Sequence, residues 1–239
     1  MQTTSANYQS ILAATDHYFE TKLVINGTTY SNTSLISVST SVQTMAGAPC
    51  AGGAISKEID VQILNPSGSV PLMAEMALSI RAISNSLSLT SEWIAQGTFY
   101  VDTRKTTSND DGLNVLTIHG YDAMMKTVAD YPDTVHNWPY LDKNVVAEIA
   151  TTIGVTVDSR TNGFLTSGYR IDMPVGYTMR ETLEHIASAY GGNFIITNDN
   201  KLLFVPLYGL EPTVTNAYYL AVENGNALTF GSEGWCVLV

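Results

Sequence analysis

The stretch from Tyr177 to Leu207 constrains the fold more than any other part of the sequence. Thr178 and Glu181 have the spacing of a capping box, in which each side chain accepts a hydrogen bond from the backbone N–H of the other residue. Apolar residues follow at helical spacing and predict one buried stripe: Met179, Leu183, Ile186, Ala187 and Tyr190. The polar positions between them are predicted to face solvent: Arg180, Glu181, Glu184, His185 and Ser188. The segment is therefore predicted to begin as an amphipathic helix.

A β-hairpin is predicted directly after this helix. Gly191 and Gly192 end the helix, because the position after the last helical residue favours a left-handed backbone. Residues 193–197 and 202–207 have the composition of strands, and the polar residues 198–200 between them predict a turn. Both faces of each strand carry apolar side chains. The hairpin is therefore predicted to be enclosed in a core or buried against a neighbouring chain.

A series of short strands is predicted before this unit. The clearest is Ser56–Leu64, in which apolar residues alternate with polar ones, as in a strand with one buried face. The other predicted strands are Glu20–Ile25, Thr28–Tyr30, Met76–Ile83, Glu92–Ala95, Gly97–Thr103 and Leu113–His119. Several short strands with turn residues between them predict a small barrel or sandwich.

The periodicity becomes helical after residue 120. Residues 120–128 are predicted to run from a strand end into a helix, with Asp122 near the helix start, where a carboxylate is favoured. Asp142 is predicted to cap a second helix, which Gly154 ends. Its buried stripe is Val145, Val146, Ile149, Ala150 and Ile153. The remaining predicted elements are a helix at 7–14, a strand at 155–157, a loop at 159–169, and strands at 218–222 and 227–230.

The charge balance disfavours proteins that bind nucleic acid tightly. The chain carries 11 Lys and Arg against 22 Asp and Glu, a formal net charge of −11. Tight binding of nucleic acid needs clustered basic residues, so the charge disfavours a protein that binds DNA or RNA tightly. It does not disfavour a surface along which nucleic acid passes without binding. Only 14% of the residues are charged. Such a composition fits a subunit that buries much of its surface against partners, and also fits extracellular β-rich proteins.

Signals for membranes, secretion and disulfides are missing from the sequence. No apolar run approaches the roughly 20 residues of a membrane span, and the N-terminus lacks the basic and apolar regions of a signal peptide. Cys50 and Cys236 are far apart and show no CxxC spacing, so we expect two buried thiols and neither a disulfide framework nor a zinc site. The apolar C-terminus predicts a docked strand or a boundary within a longer protein.

No arrangement of residues predicts catalysis. The histidines are His17, His119, His136 and His185, and the sequence contains no HExxH, GxSxG or Walker motif. A base at His119 held by Asp122 is conceivable, but no nucleophile accompanies it, so a strand-end histidine is the simpler interpretation. His185 is predicted to pair with Glu181 on the helix surface, because four residues separate them.

Acidic residues are also better explained by surfaces and turns than by a site. Glu58 and Asp60 share one face of a predicted strand, and a solvated face explains them better than paired catalytic carboxylates. Residues 110–112 and 198–200 resemble fragments of calcium loops, but neither continues to the distal glutamate of an EF-hand, so both are predicted to be turns. We therefore predict no catalytic, cofactor-binding or metal-ligating residue, no cofactor, and a protein that is not an enzyme.

Four segments follow one another along the chain: Gly53–Val61, Ser91–Asp102, Gly120–Met124 and Tyr177–Val205. Together they resemble the N-terminal hub region of tail-tip proteins from siphophages and prophages of Gram-positive bacteria. That family is related in fold to the baseplate hub of contractile phages and to the hub of type VI secretion spikes. The resemblance implies an α+β fold, mainly antiparallel β, with two small barrel-like domains similar to tail-tube subunits and an intervening helical and mixed α+β part. The implied ranges are 1–130 for the first barrel-like β domain, 131–207 for the mixed part with the helix–hairpin unit, and 208–239 for strands that complete or begin a second β domain.

The resemblance also implies a function and partners. Three chains would form a ring at the distal end of the tail tube, where their barrel-like domains present pseudo-sixfold symmetry to a hexameric tube. The implied role is a structural baseplate or tail-tip hub that caps the tube and adapts it to a distal spike or fibre, with an acidic lumen through which DNA passes without specific binding. The implied partners are two further copies of the chain, the tail tube protein, the distal tail protein, the tape measure protein and a spike or fibre, with no membrane span. The implied location is the distal end of the tail in a virion that is assembled in the host cytoplasm.

Two alternative functions remain open at the level of the sequence. One is the non-catalytic scaffold region of a tail-associated peptidoglycan hydrolase, whose catalytic domain would be absent or carried on another chain. The other is a carbohydrate-binding β module, because tyrosine-rich β surfaces can bind sugars.

Overall fold

The computed structural model describes residues 4–42, 51–108, 112–132, 136–165 and 168–207, and the backbone of three short strands beyond them. The chain divides into two compact units, Met1–Leu207 and Tyr208–Val239. In the second unit the strands pair antiparallel in the order Leu220–Ala221, Ala227–Phe230 and Cys236–Leu238. The first two lie where the sequence predicts strands. Cys50, the side chain of Cys236 and residues 109–111 of a predicted turn lie outside the described part of the chain.

The first unit consists of mainly antiparallel β structure with a few helices. Its strands are β1 (His17–Ile25), β2 (Thr28–Ser31), β3 (Leu35–Val42), β4 (Gly53–Ile55), β5 (Lys57–Leu64), β6 (Glu75–Ser84), β7 (Leu89–Thr90), β8 (Ile94–Ser108), β9 (Asn114–Asp122), β10 (Tyr140–Leu141), β11 (Thr156–Val157), β12 (Arg170–Ile171), β13 (Gly192–Ile196) and β14 (Lys201–Pro206). Its helices are α1 (Ala6–Ala13), α2 (Asp142–Ile153), α3 (Ser159–Phe164), α4 (Met179–Tyr190) and a 3₁₀ helix, Ala123–Val128. The predicted class, α+β with mainly antiparallel β structure and a barrel-like layer, is confirmed.

One antiparallel sheet curls into the barrel-like layer. Its strand order is β2-β1-β6-β8-β9-β5-β3, and the short β7 pairs with β6. Although β2 and β3 are at opposite edges, only residues 32–34 join them, and four residue steps span at most about 14 Å. The sheet therefore curls until its two edges approach each other at this end. The backbone N–H of Leu64 donates to the carbonyl oxygen of Ser34 there, at 2.8 Å.

The curled sheet encloses a hydrophobic core on one side. In β5, the apolar residues at 59, 61 and 63 are fully buried, as the alternation in the sequence predicts. Neighbouring strands contribute Leu23, Ile25, Met76, Leu78, Phe99, Val101, Leu116 and Ile118. Gly120 on β9 is required by this packing, because a Cβ atom there would lie 2.4 Å from the carbonyl oxygen of Tyr100.

A second layer is built from a smaller sheet and from helices. The sheet has the order β11-β14-β13-β4: β13 and β14 form the predicted hairpin, and β4 and β11 pair in parallel with its outer edges. Its core contains Val145, Val146, Ile149, Leu183, Ile186, Phe194, Leu202 and Phe204. Ala54 of β4 and Tyr100 of β8 belong to the same cluster. The two layers are therefore in direct contact.

Helix α4 begins and ends as the sequence predicts. The Thr178 hydroxyl accepts from the N–H of Glu181 at 3.1 Å, and the Glu181 carboxylate accepts from the N–H of Thr178 at 2.8 Å. Gly191 ends the helix with φ of 65°, in the left-handed region that favours glycine. Of the predicted stripe, Tyr190 is half-buried and the other members are buried.

The predicted cap of α2 is wrong. Asp142 is the first residue of the helix, and Leu141 occupies the cap position without a side-chain hydrogen bond. The buried Asp142 carboxylate accepts instead from the N–H of Lys143 at 2.6 Å and from the hydroxyl of Tyr190. The predicted stripe of α2 and the left-handed Gly154 are confirmed.

The loop predicted at 159–169 is also wrong, because it contains α3. Asp158 caps this helix by accepting from the N–H of Arg160 at 3.0 Å. The six residues of this helix include Gly163 and are too few to show a helical period, so the sequence does not predict the helix. The strand predicted at 92–95 is half right, since β8 begins at Ile94. No helix among the described residues is both long and apolar enough to cross a membrane.

A polar junction as the candidate functional site

The four segments that resemble tail-tip proteins meet at one place in the structure. They contribute β4 and β5, then β8, then the 3₁₀ helix, and finally α4 with β13 and β14. Three side chains connect them by hydrogen bonds, and we call Lys57, Asp122 and Arg180 the polar junction. It lies where the barrel-like layer contacts the second layer.

Arg180 is the centre of the polar junction. Its guanidinium donates to the carbonyl oxygen of Ala54 at 3.0 Å, to Ser56 Oγ at 3.0 Å and to the carbonyl oxygen of Met124 at 3.1 Å. The prediction that Arg180 faces solvent is therefore wrong. The sequence gives one sign of this role: a basic residue in the first turn of a helix opposes the helix dipole, and so needs another partner.

Asp122 joins β5 to the 3₁₀ helix. One carboxylate oxygen accepts from the N–H of Met124 at 3.0 Å and so caps the helix, near whose start the sequence places this residue. The other accepts from the N–H of Lys57 at 2.9 Å. The residue is only 3% exposed. Burial raises the pKa of Asp122 to about 6, while its two backbone donors and the charges of Lys57 and Arg180 act in the opposite direction.

Lys57 connects the barrel-like layer to the tip of the hairpin. Its ammonium donates to the carbonyl oxygen of Gln96 and to Asn198 Oδ1 at 2.8 Å. It also lies 5.5 Å from the centre of the Phe99 ring. Burial lowers the pKa of Lys57, and the negative charge of Asp122 opposes that shift.

The geometry of the polar junction suits a crosslink rather than a reaction centre. Both carboxylate oxygens of Asp122 accept from backbone N–H groups, and Arg180 donates mainly to backbone carbonyls. A surface cavity of about 520 Å³ adjoins Arg180 and is lined in part by Glu58, Asp102 and Tyr121. Within the part of the chain that the structure describes, no group of three potential metal ligands comes together.

His119, the candidate base in the sequence analysis, does not contact Asp122 among the described residues. His119 Nδ1 contacts Asp60 Oδ1 at 2.8 Å, on the polar face of the curled sheet, and its ring packs edge-to-face against Tyr121 at 4.8 Å. Asp122 is engaged by the backbone of Lys57 instead. His119 lies on a strand as predicted, but inside β9 and not at its end, since the strand continues to Asp122. Asp60 is exposed as predicted.

The surface pair predicted on α4 does not form as a hydrogen bond. The Glu181 carboxylate turns back to Thr178, and the resulting hydrogen bonds lower the pKa of Glu181. His185 packs edge-to-face against the ring of Tyr177, with 5.2 Å between centroids. The capping box therefore prevails over the i,i+4 pair.

No sequence pattern predicts the cluster that Tyr131, His136 and Glu148 form. The Tyr131 hydroxyl donates to Glu148 Oε2 at 2.5 Å, and His136 Nε2 contacts the other oxygen of the same carboxylate. The ring of His136 stacks on Tyr140, with 4.4 Å between centroids and 7° between planes. The residues come from α2 and from the segment before it, which no spacing rule connects.

The two faces of the hairpin differ in exposure. Phe194, Ile196, Leu202 and Phe204 face the core of the second layer and are buried, so the core encloses one of the two apolar faces of the hairpin. On the opposite face Leu203 is buried, whereas Val205 is 38% and Leu207 36% exposed. The second apolar face is thus covered near the middle of the hairpin and open towards residue 207.

Comparison with known proteins finds structural similarity but no similarity of sequence to a family model or a curated protein. No protein-family model matches the chain, and no match to a curated protein is found. Structural similarity is found to a 43 kDa tail protein of prophage MuSo2 from Shewanella oneidensis, with a TM-score of 0.57 and 16% identity over 80% of this chain and 56% of that chain. The fold of the described unit is therefore that of a prophage tail protein, which confirms the resemblance seen in the sequence at the level of the fold.

Two further solved structures match with lower scores. One is the tail protein from Neisseria meningitidis MC58, with a TM-score of 0.48 and 13% identity over 78% of this chain and 50% of that chain. The other is a Francisella PdpA-VgrG complex, with a TM-score of 0.48 and 10% identity over 85% of this chain and 31% of that chain. The chain spans about half of the length of the two tail proteins, or slightly more.

Proposed function

We propose that the protein is a structural component of a bacteriophage tail or of a phage-tail-like particle, and that it acts as the hub at the distal end of the tail tube. The observation that carries the proposal is the shared fold with the MuSo2 tail protein over 80% of the chain. The polar junction supports it, because the four segments that resemble tail-tip proteins are the ones that these side chains connect. In this role the protein has no catalytic activity.

The charge of the chain supports a hub through which DNA passes. A net charge of −11 repels phosphate, and Glu58, Asp60 and Asp102 lie on the surface of the curled sheet. A wall of this sign lets nucleic acid move without holding it. The prediction is that the chain does not retain double-stranded DNA in a mobility-shift assay at low salt. Retention that weakens with added salt would contradict the acidic lumen.

The hub is proposed to be a ring of three chains. Apolar side chains that a single chain leaves exposed support extensive contacts with partners: Val128 is 65% exposed, and Leu72 and Met73 are at least half exposed. The proposed organisation has a first barrel-like domain at 1–130, a mixed part at 131–207, and strands at 208–239 that complete or begin a second β domain. The proposed neighbours are the tail tube, distal tail and tape measure proteins and a spike or fibre.

Mass measurement of the full chain tests the ring. Light scattering coupled to size exclusion should report the mass of three chains, and a strict monomer at high concentration would overturn the hub. Val128→Glu and Leu72→Glu should shift the equilibrium towards smaller species, because a carboxylate would be buried without a partner. Thr106→Glu, at an exposed position of β8, is the matched control. Incubation with purified cell wall tests the absence of catalysis, and release of soluble fragments by this chain alone would contradict it.

A further inference from the structure

A pocket lies between helix α4 and the chain segment 169–177, away from the polar junction. Its volume is about 280 Å³, just below the range of pockets that hold drug-sized ligands. It has room for a small ligand or for one side chain of another protein.

Aromatic rings form two sides of this pocket. Tyr169 and Tyr190 pack edge-to-face, with 5.5 Å between ring centroids, and Tyr177 packs in the same way on His185, at 5.2 Å. The rest of the wall is mainly apolar: Ile171, Met173, Pro174, Ile186 and Ala189. A bound ligand would therefore contact aromatic rings and aliphatic side chains over most of its surface.

The carboxylates of two aspartates line the pocket, and the one basic side chain among its described lining residues is the imidazole of His185. Asp142, which is 1% exposed, and the exposed Asp172 are both lining residues, and no lysine or arginine is among them. The Asp142 carboxylate is fixed by the Tyr190 hydroxyl and the Lys143 N–H. An anion would therefore be repelled here, and a neutral apolar group would gain nothing from the two carboxylates.

We infer that this pocket binds an organic cation with an apolar body, an alkylammonium or a guanidinium group. The ring faces of tyrosine attract such cations, and the effect is largest where water is excluded. The carboxylates of Asp142 and Asp172 add attraction of the same sign. This inference does not depend on the proposed role in a phage tail. Two sources offer this chemistry: a free quaternary ammonium compound, and a lysine or arginine side chain of a partner protein.

Titration of the full chain with matched probes tests the inference. The probes are choline, its uncharged isostere 3,3-dimethylbutan-1-ol, and the amides of Nα-acetylarginine and Nα-acetyllysine, and the observed signal is the methyl resonance of Met173. Choline or one of the amino acid amides should shift this resonance with a dissociation constant in the millimolar range. The uncharged isostere should bind roughly tenfold more weakly. Tighter binding of an amino acid amide than of choline identifies a protein side chain as the source, and the reverse order identifies a free ammonium compound.

Substitutions at exposed positions link the binding to this pocket. Tyr177→Leu keeps apolar contact but removes one π face, and Ala189→Trp fills the space from the helix side. The first should weaken cation binding at least threefold, and the second should abolish it. Tyr18→Leu, at an exposed tyrosine on β1, is the matched control and should leave the dissociation constant unchanged. The inference is overturned if the uncharged isostere binds as tightly as choline, if no cation shifts the Met173 resonance, or if both pocket variants bind like the wild type.

Discussion

Arg180 on helix α4 donates to the carbonyl oxygen of Ala54 on strand β4 at 3.0 Å, although 126 residues separate them in sequence. The same guanidinium also donates to Ser56 and to Met124. One side chain thus connects the start of α4 to β4, which precedes strand β5 of the curled sheet, and to the 3₁₀ helix, which follows strand β9. Because these contacts cross the boundary between the two layers, changes in the polar junction should affect the whole first unit.

Removing the guanidinium should be costly. We expect Arg180→Met, which keeps the aliphatic stem, to lower the free energy of unfolding by about 3 kcal/mol, because two carbonyl oxygens and one hydroxyl lose a charged donor in a partly buried place. Urea unfolding followed by circular dichroism measures the change. Arg170→Met is the control, since the exposed side chain of Arg170 donates, among the described residues, to a single carbonyl oxygen, that of Pro139. It should cost less than about 1 kcal/mol. Equal losses in the two variants would contradict the crosslinking role of Arg180.

Asp122 should give the stability of the protein a pH dependence of defined sign. Its pKa is about 6 in the folded protein, against 3.8 for an ordinary aspartate. Between these values the folded state binds more protons than the unfolded state, so the contribution of Asp122 to stability falls as the pH rises from about 4 to about 6, and is constant above that. The decrease should be about 3 kcal/mol.

Urea unfolding of the wild type and of Asp122→Asn across this pH range isolates the effect. The substitution also replaces one acceptor by a donor, which lowers stability by an amount that does not change with pH. The stability of the wild type minus that of the variant should therefore fall between pH 4 and pH 7, by up to about 3 kcal/mol, whatever the constant offset. A difference that stays constant from pH 4 to pH 7 would show that the folded state does not hold this proton.

The capping box of α4 should act as a unit. Thr178→Ala removes the acceptor for the N–H of Glu181 and should cost about 1 kcal/mol. Glu181→Ala removes the acceptor for the N–H of Thr178 and should cost somewhat less. Because each side chain orients the other through a further contact at 2.9 Å between Thr178 Oγ1 and Glu181 Oε2, the double variant should lose less than the sum of the two. A double-mutant cycle from thermal or urea unfolding measures this coupling, and strict additivity would contradict it.

Gly192 should tolerate no side chain. A Cβ atom at this position would lie 2.3 Å from Phe204 Cζ and 2.5 Å from the carbonyl oxygen of Val205, and the backbone of the hairpin cannot move away without breaking its pairing. Gly192→Ala should therefore destabilise the protein by about 3 kcal/mol through overpacking. Gly163→Ala is the matched control. Its Cβ would meet no atom within 4 Å, and it lies inside helix α3, so this change should stabilise the protein by about 0.5 kcal/mol.

The elements that the sequence predicts well are those whose signal is local. The capping box, the left-handed Gly191 and the alternation in β5 each follow from residues within a few positions of one another. The short helix α3 escaped prediction because six residues with Gly163 among them carry no period. Asp142 was misplaced by one position, since a carboxylate at a helix start can be a cap or a first-turn residue and the sequence is the same in both cases.

The polar junction could not be predicted in the same way. Lys57, Asp122 and Arg180 come from three distant segments, and each has an ordinary local explanation as a strand residue, a cap and a helix-surface charge. Lys57 and Asp122 come together at the end of the antiparallel β5–β9 pair, and Arg180 reaches β4 where that strand pairs in parallel with β13. No local rule of sequence specifies a pair separated by about 140 residues. The resemblance to tail proteins indicated which segments matter, but not that they touch.

The pairing of β4 with β13 has a consequence for the order of events during synthesis. Asn193 Oδ1 accepts from the N–H of Gly53, across 140 residues, and the ribosome adds about 5–20 residues per second. Strand β4 is therefore synthesised roughly 7–28 s before its neighbour β13. During that interval the curled sheet can form, while β4, which belongs to the smaller sheet, still has unpaired backbone groups. A nascent chain that stops before residue 193 would leave β4 without its partner strand. Its unpaired backbone groups could then pair with other chains, so the truncated product should aggregate and not fold as a shorter protein.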